Sequence, residues 1–457
     1  MKILLSAYAC EPHKGSEPGV GWNLAMTIAQ EHDVWVFTSN CHRAAIEAEL
    51  AQHPHPRFHP VYCDPFGYSY NWHSSAFLFQ ADIYLHYYLW QVTAYLRARK
   101  LHQQVQFDLI HHGTYGRYPS PSFLSLLPVP FVWGPVGGGE SAPKPFWRDF
   151  DWRDRSFELV RELARWFSEL DPFVRLTARR ARLTVACTEE TAARLRKIGA
   201  GAITMVSGQT GVTQHEYEQL SALQQQRHSD DRPVRFLSMG RMLHWKGFHL
   251  GLKAFACANI PQAEYWIVGD GPYQSNLRAL VKQLGIGDRV RFLGSLSRSD
   301  ALQVMGDCDV LVHPSLHDFS PTVCVEAMAA GMPVLCLNLG GPGMQITDAT
   351  GVRVNAANPT TAIAELTIAM ERLASDRDWR QRLGQGGQAR VEAGYRWENR
   401  GALWNQIYQQ AFGKTLNPNA TETTYLMTPY PTSPTSPNPT ASNIGSGSPS
   451  SSSGIRG

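Results

Sequence analysis

Two carboxylates, Asp318 and Glu326, stand eight residues apart in the stretch "HDFSPTVCVEAMAAGMPVL", His317 to Leu335. A Ser-Pro step lies between them. Ser320 suits a helix N-cap and Pro321 a first helical position, so a helix starts here and runs to the breakers Gly331 and Pro333. The unpaired amides near Thr322 and Val323 then form an anion site. The run "CDVLVHPS" reads as a strand leading into this turn. Open α/β sheets bind ligands at the carboxyl ends of their strands. Asp318, just before the helix, and Glu326, in its second turn, therefore face one pocket. The ordinary reading of either carboxylate alone is a cap or a solvated charge.

Two more stretches carry chemistry. "SMGRMLHWKGF" follows a strand and supplies Arg241 and Lys246, five residues apart around a turn. Two cations beside a helix N-terminus suit a diphosphate, although each alone reads as surface charge. "KGSEPGVG" follows the first strand, and Gly15 and Gly19 let backbone approach a ligand closely.

These groups need a scaffold that brings distant loops together. Short apolar runs alternate with helical patterns: "KILLSAYA", "DVWVFTS", "FDLIHH", "PFVWGP" and "LTVACT" read as strands. The alternation restarts at "VRFLSMGRM" and continues through "AEYWIVGDG", "VRFLGSL", "CDVLVHPS", "MPVLCLN" and "GVRVN". Strands alternating with helices build parallel sheets. The sequence therefore predicts an α/β protein with two doubly wound domains, joined near "SGQTGVTQHEYEQLSALQQQRHSDDRP". A length of 457 residues agrees with two large domains.

Composition excludes several classes. Hydrophobic residues at 43% and charged residues at 18% describe a globular protein. A formal charge of +3, with no basic run interleaved with aromatics, predicts no nucleic-acid partner. The eight cysteines show neither C-x-x-C pairs nor zinc-ligand spacing and read as buried thiols in a reducing, cytoplasmic setting. "KILLSAYAC" reads as a first strand rather than a leader. "SSAFLFQADIYLHYYLWQVTAYL" is broken by Gln80, Asp82, His86 and Gln91, so no span is assigned. From Lys414 onward Pro, Ser, Thr, Gly and Asn dominate, which predicts disorder.

Taken together, these motifs resemble family 4 of the retaining nucleotide-sugar glycosyltransferases, also called glycosyl transferases group 1. That family has the GT-B fold, two Rossmann-like doubly wound parallel-sheet domains facing an interdomain cleft. The resemblance rests on Asp318 and Glu326 at the family's carboxylate spacing, on "EAMAAGMPV", on Gly240-Arg241 with Lys246-Gly247, and on "VGDGP" at 268–272. It covers roughly residues 1 to 412. It implies an N-terminal acceptor domain over 1–207 and a nucleotide-sugar donor domain over 208–394. A helix over 395–413 would return to the first domain, ahead of a tail at 414–457.

The resemblance also implies roles. Glu326 would bind ribose hydroxyls and Asp318 a hydroxyl of the donor sugar. Arg241 and Lys246 would neutralise the departing diphosphate, with Gly15, Gly269, Thr322 and Val323 around the donor. The donor would be a nucleoside-diphosphate sugar, with no metal or other cofactor, and the acceptor a glycan, a lipid-linked sugar or a small molecule. The chain departs from the family in three ways. The first carboxylate is Asp, "FSP" stands in place of "GFG", and "FVWGPVGGGE" lacks a usual His. That leaves His111 and His112 as alternatives, with His112 the catalytic candidate. "GPVGGGE" itself reads either as a flexible turn or as room for a sugar. The stretch "RSFELVRELARWFSELDPFVRLTARRARL" is amphipathic and basic, and its apolar residues are expected to pack on the sheet. Peripheral contact with anionic lipid at the inner membrane face is the second reading. A non-catalytic glycan-binding or scaffold protein on the same fold is the alternative function.

Overall fold

The computed structural model describes residues 1–67, 81–226, 232–413 and 423–425. The first sheet contains β1 (Lys2–Ser6), β2 (Asp33–Thr38), β3 (Phe58–Tyr62), β4 (Leu109–His112), β5 (Phe131–Val136), β6 (Leu183–Ala186) and β7 (Ile203–Met205). Its order is β7-β6-β5-β4-β1-β2-β3, all parallel. The second contains β8 (Arg235–Met239), β9 (Glu264–Val268), β10 (Val290–Gly294), β11 (Val310–His313), β12 (Val334–Leu337) and β13 (Gly351–Val354), ordered β10-β9-β8-β11-β12-β13. From the tail, β14 (Thr423–Tyr425) pairs in parallel with β7. The rest of the stretch after Gly413, expected to be disordered, lies outside the described residues. So does the beginning of "SSAFLFQADIYLHYYLWQVTAYL", which from Ala81 forms the helix Ala81–Val105. Among the described residues no helix is long and apolar enough to cross a membrane.

Strands buried on both faces explain the continuous apolar runs. Leu4 and Ile110 point into one layer of the first domain, Ile3 and Leu109 into the other. The strand order reverses between β1 and β4 in the first sheet and between β8 and β11 in the second. Loops leaving such a pair diverge and open a crevice. "KGSEPGVG" follows β1, Arg241 and Lys246 follow β8, and Asp318 follows β11, so the topology alone gathers the candidate residues.

Two features join the domains. The chain crosses between them at 206–213 and again at 395–400, and the crossings lie side by side. Val212 N donates to Tyr395 O at 2.9 Å and Trp397 N to Val212 O at 3.0 Å. The fully buried Arg400 guanidinium reaches Gln209 O at 3.3 Å and Gly208 O at 3.5 Å. After the second crossing, helix Gly401–Phe412 packs Trp404, Ile407 and Tyr408 into the first domain's core. Tyr408 OH meets His111 Nδ1 at 2.9 Å. In the other direction Phe146 and Phe150, which follow β5, enter the core of the second domain.

Trp404→Ala empties a large volume where the last helix packs against His111 of β4, and should cost about 3–5 kcal/mol. Denaturant unfolding of the two proteins checks it; a loss under 1 kcal/mol would mean that the helix does not anchor the first domain.

Candidate active site

Asp318 lies at the end of β11 with its side chain largely withdrawn from water. Oδ2 accepts from Lys246 Nζ at 2.7 Å and from His313 Nε2 at 2.9 Å. Burial alone would raise the pKa of this carboxyl, but Lys246 and His313 outweigh it and hold it well below the usual range. Lys246 and Asp318, assigned separately from sequence to a diphosphate and to a sugar, are thus one ion pair. Arg241, on the same loop as Lys246, is exposed and makes no hydrogen bond or ion pair to any described residue.

Glu326 is buried one turn into helix Thr322–Ala329, where Oε1 accepts from Arg298 Nη1 at 2.8 Å. Arg298 also binds Glu216 Oε1 at 2.7 Å through its other terminal nitrogen. Burial raises the Glu326 pKa, with Arg298 opposing. Nothing local in the sequence marks Arg298, which sits on a different helix, Arg298–Asp307.

The helix start differs from the expected capping. The helix opens at Thr322 with Pro321 at the cap position and no side-chain cap. Ser320 Oγ turns away to the first crossing, where it accepts from Gln209 N at 3.0 Å and Thr210 N at 3.2 Å. The amides of Thr322 and Val323 are left without a side-chain cap, as an anion site requires. The "FSP" departure has a packing reason too. A Cβ on Gly137 would stand 2.1 Å from the Phe319 ring, so a glycine of the first domain admits an aromatic of the second.

The glycines divide. Gly269 has φ 123°, and a Cβ there would meet Gly240 O at 2.1 Å, so it supports the Arg241 loop from beneath. Met242 N donates to Asp270 O at 2.6 Å in the same contact. Gly15 is exposed and extended (φ −81°), with nothing within 4 Å of a Cβ, so the fold does not require glycine there. The close approach belongs to Gly19, whose Cβ would meet Lys14 O at 1.9 Å.

His112 is fully buried, and burial drives its pKa down to about 3. His111 faces the opposite layer, against Trp404 and Tyr408.

"GPVGGGE" is held rather than free. Arg165 Nη2 donates to Gly138 O at 2.7 Å and Glu140 O at 2.6 Å, Arg161 Nη2 to Glu140 O at 2.7 Å, and Arg194 Nε to Gly139 O at 3.0 Å. Two of these arginines lie on helix Trp152–Leu170, and that helix reverses the expected packing. Its polar face, with Glu158, Arg165 and Glu169, is buried, while Leu159, Val160, Leu163, Trp166, Phe167 and Leu170 are about half exposed or more. The carbonyls of a glycine-rich loop need donors, and apolar side chains supply none. Among the described residues no group of three or more His, Cys, Asp or Glu is arranged to hold a metal ion.

Comparison with known proteins bears on the second domain and on the fold. The family model for glycosyl transferases group 1 matches residues 221–390, the segment that contributes Arg241, Lys246, Asp318 and Glu326. The lipopolysaccharide core biosynthesis glycosyltransferase LpsE of Rhizobium meliloti is 33% identical over 158 residues, 34% of this chain and 44% of that protein. A GDP-mannose-dependent phosphatidylinositol monomannoside mannosyltransferase of Corynebacterium glutamicum is 31% identical over 190 residues, 40% and 48% of the two chains. This chain thus spans under half the length of these curated relatives. Among solved structures, sucrose-phosphate synthase from Thermosynechococcus elongatus superposes with a TM-score of 0.61 at 19% identity, over 90% of this chain and 99% of that one. HepE from Anabaena, solved with UDP, gives 0.58 at 19% identity, over 90% and 100%. The fold is GT-B, and within it residues 221–390 match the glycosyl transferases group 1 model.

Because Lys246 and Asp318 neutralise each other, their substitutions should act with opposite sign on anion binding. Lys246→Ala should weaken inorganic pyrophosphate by roughly 1.5–3 kcal/mol, the range for a hydrogen bond to a charged group. Asp318→Asn should leave it equal or tighter, because the ammonium loses its counter-charge. Calorimetry on both variants decides; equal weakening would mean that the pair acts only as a structural strut.

Proposed function

We propose that this chain is a retaining glycosyltransferase that moves a sugar from a nucleoside diphosphate to a glycan, lipid-linked or small-molecule acceptor. One observation supports the reading: the Lys246–Asp318 pair, the uncapped start of helix Thr322–Ala329 and the buried Glu326 all follow the two strands at the switch point of the second sheet, with Arg241 on the same loop as Lys246. Transfer breaks the bond between the anomeric carbon and the phosphate oxygen and forms one to the acceptor oxygen on the same face. Negative charge develops on the departing diphosphate. Arg241, Lys246 and the amides of Thr322 and Val323 are in place before it appears, which is how preorganised groups lower a barrier. The acceptor's proton leaves with the diphosphate. Glu326 takes the ribose hydroxyls through its free oxygen, and Asp318 takes a sugar hydroxyl. These cations and amides meet the charge without a metal ion. A UDP-bound neighbour of the same fold supports a nucleotide in this cleft.

We place the protein on the cytoplasmic side of the membrane, held at the inner face by helix Trp152–Leu170. Exposed cations lie on the helix itself, Arg153, and in the segment just before it, Lys144 and Arg148. An outward apolar stripe accompanied by cations fits an anionic lipid surface.

Thermal shift with UDP-, GDP- and ADP-sugars should single out one donor class, and coupled release of the nucleoside diphosphate should require an acceptor. Arg241→Ala should slow turnover about tenfold or more, a barrier change of ~1.4 kcal/mol. Donor-independent glycan binding with no nucleotide release would favour the scaffold alternative. Co-sedimentation should find the chain on phosphatidylglycerol vesicles and not on phosphatidylcholine. The triple change Leu163→Ser, Trp166→Ser and Phe167→Ser should abolish that binding while leaving the melting temperature near its original value. Unchanged binding would remove the lipid assignment.

A further inference from the structure

The buried face of helix Trp152–Leu170 holds more than the glycine loop. Glu158 has no exposed surface. Its Oε1 accepts from His244 Nε2 and from His317 Nε2, each at 3.0 Å, and its Oε2 from Arg161 Nη1 at 3.3 Å. The two histidines come from different loops of the second domain. His244 lies between Arg241 and Lys246, and His317 immediately precedes Asp318. Trp245 stacks between the loops and the helix, with its ring 5.0 Å from His317 and 5.1 Å from Phe157. One carboxylate of the first domain is therefore the common anchor of both loops that carry the donor groups.

The chemistry of the cluster excludes simple cohesion. A buried carboxylate costs several kcal/mol in desolvation, and a well-packed apolar side chain holds a core together at least as well. What a carboxylate adds is direction, because it fixes where each N–H must point. His244 also meets Asp154 Oδ1 through Nδ1 at 3.1 Å, so both of its nitrogens face carboxylates, which favours the protonated ring. Its pKa is raised although burial opposes this. The carboxyl of Glu158 is held well below its usual range, because the histidine bonds outweigh burial.

We infer that Glu158 is a positioning residue for the donor site, aligning the Arg241–Lys246 loop with the Asp318 loop across the domain boundary. The inference rests on the assignment of those three residues to the donor. Separation of the domains must release both histidines at once, so the donor groups are aligned only while the first domain is in place.

Two variants test it. Glu158→Ala removes the anchor. Glu158→Gln keeps the shape, but its NH2 must then face Arg161 or the two histidines, donor against donor, so it loosens the same contacts by less. Hydrogen exchange of the ligand-free protein should speed up at 241–247 and 314–320 in both variants, more in Glu158→Ala. Exchange in β12 and β13 should stay at its original rate. Calorimetry with UDP should show affinity falling about tenfold in Glu158→Ala, ~1.4 kcal/mol, and less in Glu158→Gln. Original exchange rates in both loops of folded Glu158→Gln would overturn the inference. Failure of the original chain to bind UDP, GDP and ADP would instead overturn the donor assignment, and faster exchange in the two loops would then still identify Glu158 as their common anchor.

Discussion

A carboxylate taken out of water must be met by donors or cations, and Asp318 imposes that requirement on everything near it. Lys246 and His313 answer it directly. The main chain of the same residue is held separately: Gly341 N donates to the backbone carbonyl of Asp318 at 2.6 Å, and a side chain on Gly340 would collide with that carbonyl. Phe319 and Ser320 are thereby aimed at the first domain, one onto Gly137 and the other onto the amides of 209 and 210. Lys246 and His313 fix the Asp318 side chain within the second domain, while its neighbours Phe319 and Ser320 tie the same loop to the first.

The same rule recurs through the cleft. Asp318 is matched by Lys246, Glu326 by Arg298, and Glu158 by two histidines and Arg161. The ligand-free site keeps its charges in pairs, which limits the cost of burying them. Arg241, exposed and without an ion-pair partner among the described residues, is the exception.

How much of this was legible in the sequence follows from the range of each signal. The βα alternation and the strand–turn–helix at 310–330 are local, and they read correctly. The pairing of Lys246 with Asp318 was not visible, because it depends on β8 and β11 being neighbours although two strands intervene in the chain. Arg298 and Glu158 lie on elements remote from the residues they hold, one of them in the other domain. Ser320 had the residue type and place of a cap, but two crossing-segment amides competed for it. Helix Trp152–Leu170 teaches the most. Its periodicity marks an amphipathic helix, yet periodicity carries no sign, and the unpaired carbonyls of "GPVGGGE" reversed the expected face. His112, one of two adjacent histidines that stood in for the family's missing one, is the last residue of β4 and fully buried.

The two side-by-side crossings have a mechanical consequence. Two covalent passages lying together, locked by Arg400 and by the Val212–Tyr395 exchange, define a line and not a point. A body tied to another along a line keeps one soft coordinate, rotation about it, while sliding and twisting are resisted. Ser320 is bonded to that line, so the amide end of helix Thr322–Ala329 lies close to the axis and sweeps a short arc. Glu158, Gly137 and the glycine loop belong to the turning body. Leverage in this molecule is therefore unequal: a turn about that line would displace the amide end of helix Thr322–Ala329 little and Glu158, Gly137 and the glycine loop far more.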